Sequence, residues 1–593
     1  MTLLGLVIPA MQLYCIILFL AFGCALLCGF ISVHRNGLRG AEDALITIAS
    51  LNTTFAFALI SFSVFVGALS LYWFSHSLEL HYIFVGFVLT IALSFILHGT
   101  RFDTTGFFLC LLANILFALF SFYFMSAFYD SSFDGRTYHQ TAVYYLKNGW
   151  LPDKEQLFLR WCNEYPKAPW IWEALVYKLG GCIEGGKCVN CLAVYALFNL
   201  ALYSGLRLNR SIIPSFIFAT LAIANPVVIT QFFSFYNDGL LYVYSVSIVL
   251  LISLLLLEAP VDKWFIISLL LLTIPFAANI KFTGMVYSYL MLGLAFAFTV
   301  VKKRHASLRA VARISILTLV LSFMTIGYNP YWSNVLHGRH LFHPLFGSSK
   351  STIDIILMNN RPHYMNEHNS FYNFASSLLS KVGDNTSLRA PEWRNPLQLA
   401  ALKEIKSLYI DTRTNGFGPY FVLSLALSIL LLVYSACKTW PAGEKKTPLL
   451  YMMLAIFFTT VCNKEAWWAR YVPHLWFTAA LTLIGPSFSK LFSMTRTTII
   501  ILCLTTSVLT MYYTVEWNRK ATITLQRGIE MIKSTNGDIV VFSQIKDFDT
   551  ALRALLEDNN LPFMYAAATD NLKPLFVYKV GQSKVVVVCQ KLN

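Results

Sequence analysis

Charge is scarce in this chain. Of 593 residues only 13% are Asp, Glu, Lys or Arg, and the acids number just 30. A soluble globular domain carries about 25% charged residues, so that class is excluded. Internal repeats with a period of about 20–50 residues are lacking, as are low-complexity tracts, which excludes solenoids and compositionally biased arrays. The first apolar run is too long for a cleavable leader and has no basic start, so none is expected. What fills the chain instead is apolar: 57% of residues are hydrophobic and 15% aromatic. An all-α polytopic membrane protein is the expected class.

About fourteen apolar stretches run from one centred near Leu20 to one near Leu504, most of them close to the roughly 20 residues that cross a bilayer as a helix. A net charge of +15 suggests nucleic acid at first sight. Its distribution says otherwise. Alternate short loops collect the cations: Arg35, Arg39, Arg101, Arg207, Arg210 and Lys263, then Lys302, Lys303, Arg304, Arg309 and Arg313, then Lys438, Lys445, Lys446, Lys490 and Arg496. The short loops of the other phase hold Lys281, Lys464 and Arg470. Cytoplasmic loops are the Lys/Arg-rich ones, so the second set faces outward, and the charge belongs to a membrane rather than to a nucleic-acid partner. Two long segments, 129–188 and 329–417, then face outward too, as do both termini.

The expected domains are a transmembrane unit, 1–515, that carries these two outer loops, and a small soluble α/β unit, 516–593. The latter is read from the strand-like GDIVVFS and SKVVVVCQ and the helix-like FDTALRALLEDNN. In the first outer loop Thr141–Asn148 reads as helix, and Pro152, Pro166 and Pro169 read as breaks. Twelve cysteines are scattered, most inside spans, where cysteine acts as a small apolar residue. Cys162, Cys182, Cys188 and Cys191 lie in or beside the first outer loop, where an oxidising exterior allows a disulfide. A metal site on Cys182, Cys188 and Cys191 is the weaker reading, because the spacing is irregular and no fourth ligand is in view.

The residues able to carry chemistry sit on the outer face. Asp130 and Asp134, four apart in YDSSFDGRTYHQ, share a face if the segment is helical, with Tyr138 and His139 beside them. A carboxylate is the usual base for taking a proton from an attacking hydroxyl. Asp134 also reads as the N-cap of the helix that follows. Asp238 in FYNDG ends a short outer link, where an acid needs a partner. It would hold an acceptor or share a cation with Asp134, or serve only the turn chemistry of Asn-Asp-Gly. Lys281 in ANIKFTG is a lone outer cation at the end of an apolar span. A lipid phosphate would satisfy it, as would snorkelling to headgroups. Arg470 in KEAWWARYVPHLW, with His474 one turn on, has the planar fork that suits phosphate. The adjacent Trp467–Trp468 pair reads as an interface belt. His337, Arg339, His340 and His343, followed by Arg361 and His363, read as a lid or as polar ligand contacts, in no familiar metal spacing. Glu184 and Lys187 in IEGGK read as a salt bridge in a turn.

In order along the chain, the strings DGRTYHQ, YPKAPW, IEGGK, NIKFTG, HPLFG, NGFGPYF and WWARYVPHLW resemble a bacterial branch of the GT-C superfamily of integral-membrane glycosyltransferases, over roughly residues 100 to 490. The resemblance implies a GT-C-like fold in the bacterial inner (plasma) membrane, with the site on the periplasmic side. It implies a polyprenyl-phosphate-linked sugar as donor, a glycan or lipid-linked acceptor, and Asp134 as the general base of an inverting transfer. Asp130 and Asp238 are the further catalytic carboxylates expected, and Tyr138, His139, Lys281, His343, Arg361, Arg470 and His474 are expected to contact substrate. No cofactor is specified; a divalent cation, Mg2+ or Mn2+, is compatible with the acids. The chain departs from the family in placing about four spans ahead of its acidic loop, and in lacking a clear Asp-x-Asp pair or a WWDYG-like string. The resemblance therefore implies neither metal dependence nor transfer of oligosaccharide to asparagine. Two other readings stand beside it. A polymerase or ligase of polyprenyl-diphosphate-linked oligosaccharides would need more outward cations, such as Arg339 and Arg361. A lipid-linked sugar flippase would keep its charges near the midplane on broken helices rather than at one face.

Overall fold

The computed structural model describes residues 41–591, apart from 103, 158, 210, 258–261, 345–360, 384–391, 396–398, 440–445, 485–488, 535–538, 544–548, 566–571 and 580–584. The span expected near Leu20, and the side of the N-terminus with it, lie outside the described residues.

Long apolar runs leave the backbone only itself to bond with, so the membrane part is helical. Among the described residues, eight helices are long and apolar enough to cross a bilayer: Ala41–Trp73, His81–Arg101, Thr104–Ser126, Ile183–Leu208, Asp238–Leu255, Phe282–Val301, His305–Ile326 and Lys490–Lys533. Four shorter apolar helices, Ile212–Ile223, Lys263–Ala278, Phe421–Cys437 and Pro448–Val461, stand among them. The chain is thus a multi-pass helical membrane protein. Asp238–Leu255 is buried along its whole length, as an all-round apolar helix must be. It is packed against the helices Cys188–Asn209, Lys263–Ala278, Phe282–Val301 and Lys446–Val461. At the Lys/Arg-rich end, Arg101 and Arg207 converge on Asp262, which also accepts from the Tyr203 hydroxyl at 2.8 Å.

Four expectations change on inspection of the fold. The span near Phe218 is broken: Ile212–Ile223 ends, and Pro226–Gln231 begins after Asn225. Pro226 has no N–H and forces Asn225 out of the helical region. The span near Leu481 is a five-residue helix, Phe477–Leu481, reached through 3-10 turns that start at Pro473. Pro169 does not break a helix; it sits in the first turn of Ala168–Gly180, where a missing N–H costs nothing. The helix Lys490–Lys533 runs through residue 516 without interruption. Cys162, Cys182, Cys188 and Cys191 are all free thiols.

The long helix delivers the C-terminal segment onto the first outer loop. There a four-stranded sheet forms from β1 (Ile539–Ser543), β2 (Met564–Tyr565), β3 (Leu572–Lys579) and β4 (Val585–Lys591), in the order β2-β1-β4-β3. β1 runs parallel to β2 and antiparallel to β4, and β3 runs antiparallel to β4. The helix Thr550–Asp558 buries Leu552, Leu555 and Leu556 against Ile539, Val541 and Ile529. Its polar end reaches the outer loop: Tyr144 donates to Glu557 at 2.6 Å, and Asp558 accepts from Tyr177 at 2.7 Å and from the Ile183 amide at 2.9 Å.

Candidate active site

The first outer loop is tied down by its own acids. The Asp130 carboxylate accepts from the amide of Ser132 at 2.7 Å and from that of Phe235 at 2.9 Å. Its amide donates to Glu184 at 3.2 Å, and its carbonyl accepts from Arg136 Nε at 2.7 Å. Asp130 is therefore committed to holding backbone. Gly135 lies so close to the Asp130 carboxylate and the Ser132 hydroxyl that a Cβ there would collide with both. Gly135–His139 then winds as a π-helical turn, closed by the Gln140 amide onto the Gly135 carbonyl. Wider turns of this kind recur at functional sites. Asp134, at the mouth of the turn, makes no side-chain cap, and its carboxylate turns instead toward Arg470.

Arg470 is the hub. Its guanidinium lies 3.7 Å from Asp134, 3.8 Å from Asp238 and 3.0 Å from Asp411. Lys281 is ion-paired with Asp238, whose other oxygen accepts from Gln231 at 3.0 Å. Five distant chain segments, the π turn, the start of Asp238–Leu255, Lys281 just ahead of Phe282–Val301, the loop at Asp411 and the turn around Arg470, thus meet at one charged centre. Aromatic rings surround it: Arg470 stands over Trp468 at 4.2 Å and Tyr236 at 5.3 Å, and Lys281 over Tyr471 at 5.7 Å. Burial raises the pKa of Asp134, Arg470 opposes that rise, and Asp411 adds to it. Burial alone would lower Arg470, but Asp238 and Asp411 outweigh it, and the guanidinium is held charged.

The remaining expected residues divide. Tyr138 is buried in an aromatic cluster with Trp161, Tyr165 and Trp170. His139 Nδ1 accepts from the Trp170 indole at 2.8 Å. An indole only donates, so the imidazole proton sits on Nε2; burial and the nearby Lys281 keep the ring neutral. His474 does not face the charged centre. Its Nε2 meets Thr459 at 2.8 Å, and its ring packs on Tyr287. Tyr287 in turn donates to the Tyr471 carbonyl at 2.6 Å, which braces the turn that carries Arg470. His343 faces Glu164 at 3.7 Å, and Arg361 pairs with Glu465. Lys187 pairs with Glu184 at 2.6 Å as a buried bridge. Trp467 and Trp468 are buried rather than set in a belt. Trp467 donates to Glu465 at 2.6 Å, and Trp468 donates to the Thr412 carbonyl at 2.9 Å.

Sequence reasoning missed Asp411 and Arg413. They stand two apart in DTRTN, just ahead of NGFGPYF. An acid and a base alternating in an outer loop was the available signal, but nothing local ties it to Arg470. Lys167 of YPKAPW was missed as well. Its buried amine donates to the carbonyls of Asn163 and Tyr165 and to Asn329, so it fastens the first outer loop to the second.

No protein-family model and no curated protein matches the chain. Among solved structures it is similar to the crystal structure of ArnT from Cupriavidus metallidurans bound to undecaprenyl phosphate, at 12% identity and a TM-score of 0.43, over 82% of this chain and 98% of that one. So distant a likeness assigns no residue a role; the site's chemistry has to come from its own geometry.

Proposed function

We propose that this chain is an inverting membrane glycosyltransferase of the GT-C type. It takes a sugar from a polyprenyl-phosphate donor and passes it to a glycan or lipid-linked acceptor at the outer, periplasmic face of a bacterial inner membrane. The observation that carries this reading is the convergence of Asp134 and Arg470, 3.7 Å apart, with Lys281 bound to the shared neighbour Asp238. A base and a phosphate-binding pair within one pocket are what transfer from a sugar phosphate requires.

In this mechanism Asp134 takes the proton of the acceptor hydroxyl. The freed oxygen attacks the anomeric carbon from the face opposite the phosphate, and the bond from that carbon to the phosphate oxygen breaks. Negative charge grows on the departing phosphate, where Arg470 and Lys281 are already in position, and preorganised cations of this kind are often the largest single contribution to catalysis. The sugar passes through an oxocarbenium-like state. Asp130 positions the loop rather than touching the sugar.

Mg2+ or Mn2+ does not fit this arrangement. Arg470 stands among the three carboxylates where such an ion would stand, and among the described residues no three His, Cys, Asp or Glu side chains group to hold a metal.

Asp134→Asn tests the reading in membranes with normal protein level. Loss of a positioned base should lower kcat by about 10²–10⁴-fold. Transfer at the normal rate would remove Asp134 as the base.

A further inference from the structure

Arg470 is not open to a phosphate in this structure, because a carboxylate already sits on it. Asp411 Oδ1 accepts from Arg470 Nη1 at 3.0 Å, and its Oδ2 lies 3.3 Å from Arg413 Nη2. Both guanidinium groups stack on the same ring, Arg470 at 4.2 Å and Arg413 at 4.9 Å from the centre of Trp468. The Trp468 indole donates to Thr412, the residue between Asp411 and Arg413. Two arginines ordered on one aromatic plate and closing on a single carboxylate form a built anion site. Planar forks held on an aromatic face are pre-organised for an oxyanion.

We propose that this Arg413–Trp468–Arg470 cradle is the binding site for the phosphate of the lipid-linked donor, and that Asp411 fills it until the donor arrives. The inference rests on the transferase reading above and adds to it a second phosphate-binding arginine and a displaceable internal anion. Asp411 is the one suited to leave. Its side chain is 26% exposed, against 1% for Asp238, and it lies on the second outer loop. Asp238 is held by Lys281 and Gln231, and Asp134 is needed as base.

Charge counting favours the same exchange. Among the described residues, Asp134, Asp238 and Asp411 stand against Lys281, Arg413 and Arg470, three negative and three positive. An uncompensated charge in so buried a cluster is costly. A phosphodiester carries one negative charge, so a polyprenyl-phosphoryl sugar replaces Asp411 one for one.

The test is the affinity of the purified full-length protein in detergent for a polyprenyl monophosphate, with inorganic phosphate as a second probe. Asp411→Asn removes the competing charge and should tighten polyprenyl phosphate binding roughly tenfold, while Arg413→Ala should weaken it by a similar factor. Asp411→Glu keeps the competitor and should bind as the wild type does, which guards against a folding defect in Asp411→Asn. Tightening for both probes traces the effect to the phosphate itself; tightening for the lipid alone traces it to the lipid headgroup with its tail engaged. Unchanged or weaker binding by Asp411→Asn overturns the exchange, and unchanged binding by Arg413→Ala overturns the cradle. If those results come with loss of binding in Arg470→Ala, the transferase reading survives without this inference. If Arg470→Ala also binds normally, that reading falls as well.

Discussion

Asp134 is a base only when ionised, and its surroundings set the pH at which that happens. Burial lifts its pKa, with Arg470 pulling down and Asp411 pushing up. The acid limb of the rate profile should therefore lie above the usual aspartate range of about 4. Activity is lost as pH falls through that raised value. Asp411→Asn removes one of the two charges that raise it, so the limb should move to lower pH in a kcat/KM-against-pH series, which reports on the protein before the donor displaces Asp411. A limb that stays put would separate Asp411 from Asp134. His139 contributes no limb near neutrality, since burial and Lys281 hold it neutral.

The π turn Gly135–His139 is the local element on which the site depends. It presents Asp134 at its start and buries Tyr138 and His139 within it. Its geometry requires the close approach of Gly135 to the Asp130 carboxylate. Gly135→Ala adds a methyl where there is no room, an overpacking cost of about 1–3 kcal/mol. We expect a lower melting temperature in detergent and a fall in kcat larger than any change in donor affinity, because Arg470 lies on another segment. A variant with wild-type melting and turnover would show that the turn tolerates a wider path. The helical character of the segment from Thr141 was legible in its pattern, and the structure has Gln140–Lys147 there. The π turn was not, since an extra residue per turn leaves no periodic mark in five residues.

The C-terminal segment is coupled to the loop 129–188 through Asp558, which holds Tyr177 and the Ile183 amide. Its carboxyl is raised to about 6, chiefly by burial, with Glu184 adding to the shift and Lys147 opposing it. A raised carboxylate means that the folded state binds the proton more tightly than the unfolded chain does. Its contribution is full at low pH and is lost as pH rises through about 6. Asp558→Asn cannot ionise. The melting temperature of the wild type relative to this variant should accordingly drop by a few degrees between about pH 5 and pH 7. A difference that is flat with pH would uncouple this contact from stability.

Composition was enough to establish a multi-pass helical protein, because membrane insertion acts on apolar length one segment at a time. That Lys281 and Arg470 must find acidic partners was also readable, since isolated charges at span ends demand them. The partners themselves were not. That Asp238 takes Lys281, that Asp130 is consumed by backbone amides, that His474 and Arg361 turn to Thr459 and Glu465, and that Asp411 reaches Arg470 from 59 residues away all depend on which helix ends lie side by side. Helix packing fixes that arrangement, and it acts on shape and distance across the folded chain, which no short stretch of residues encodes.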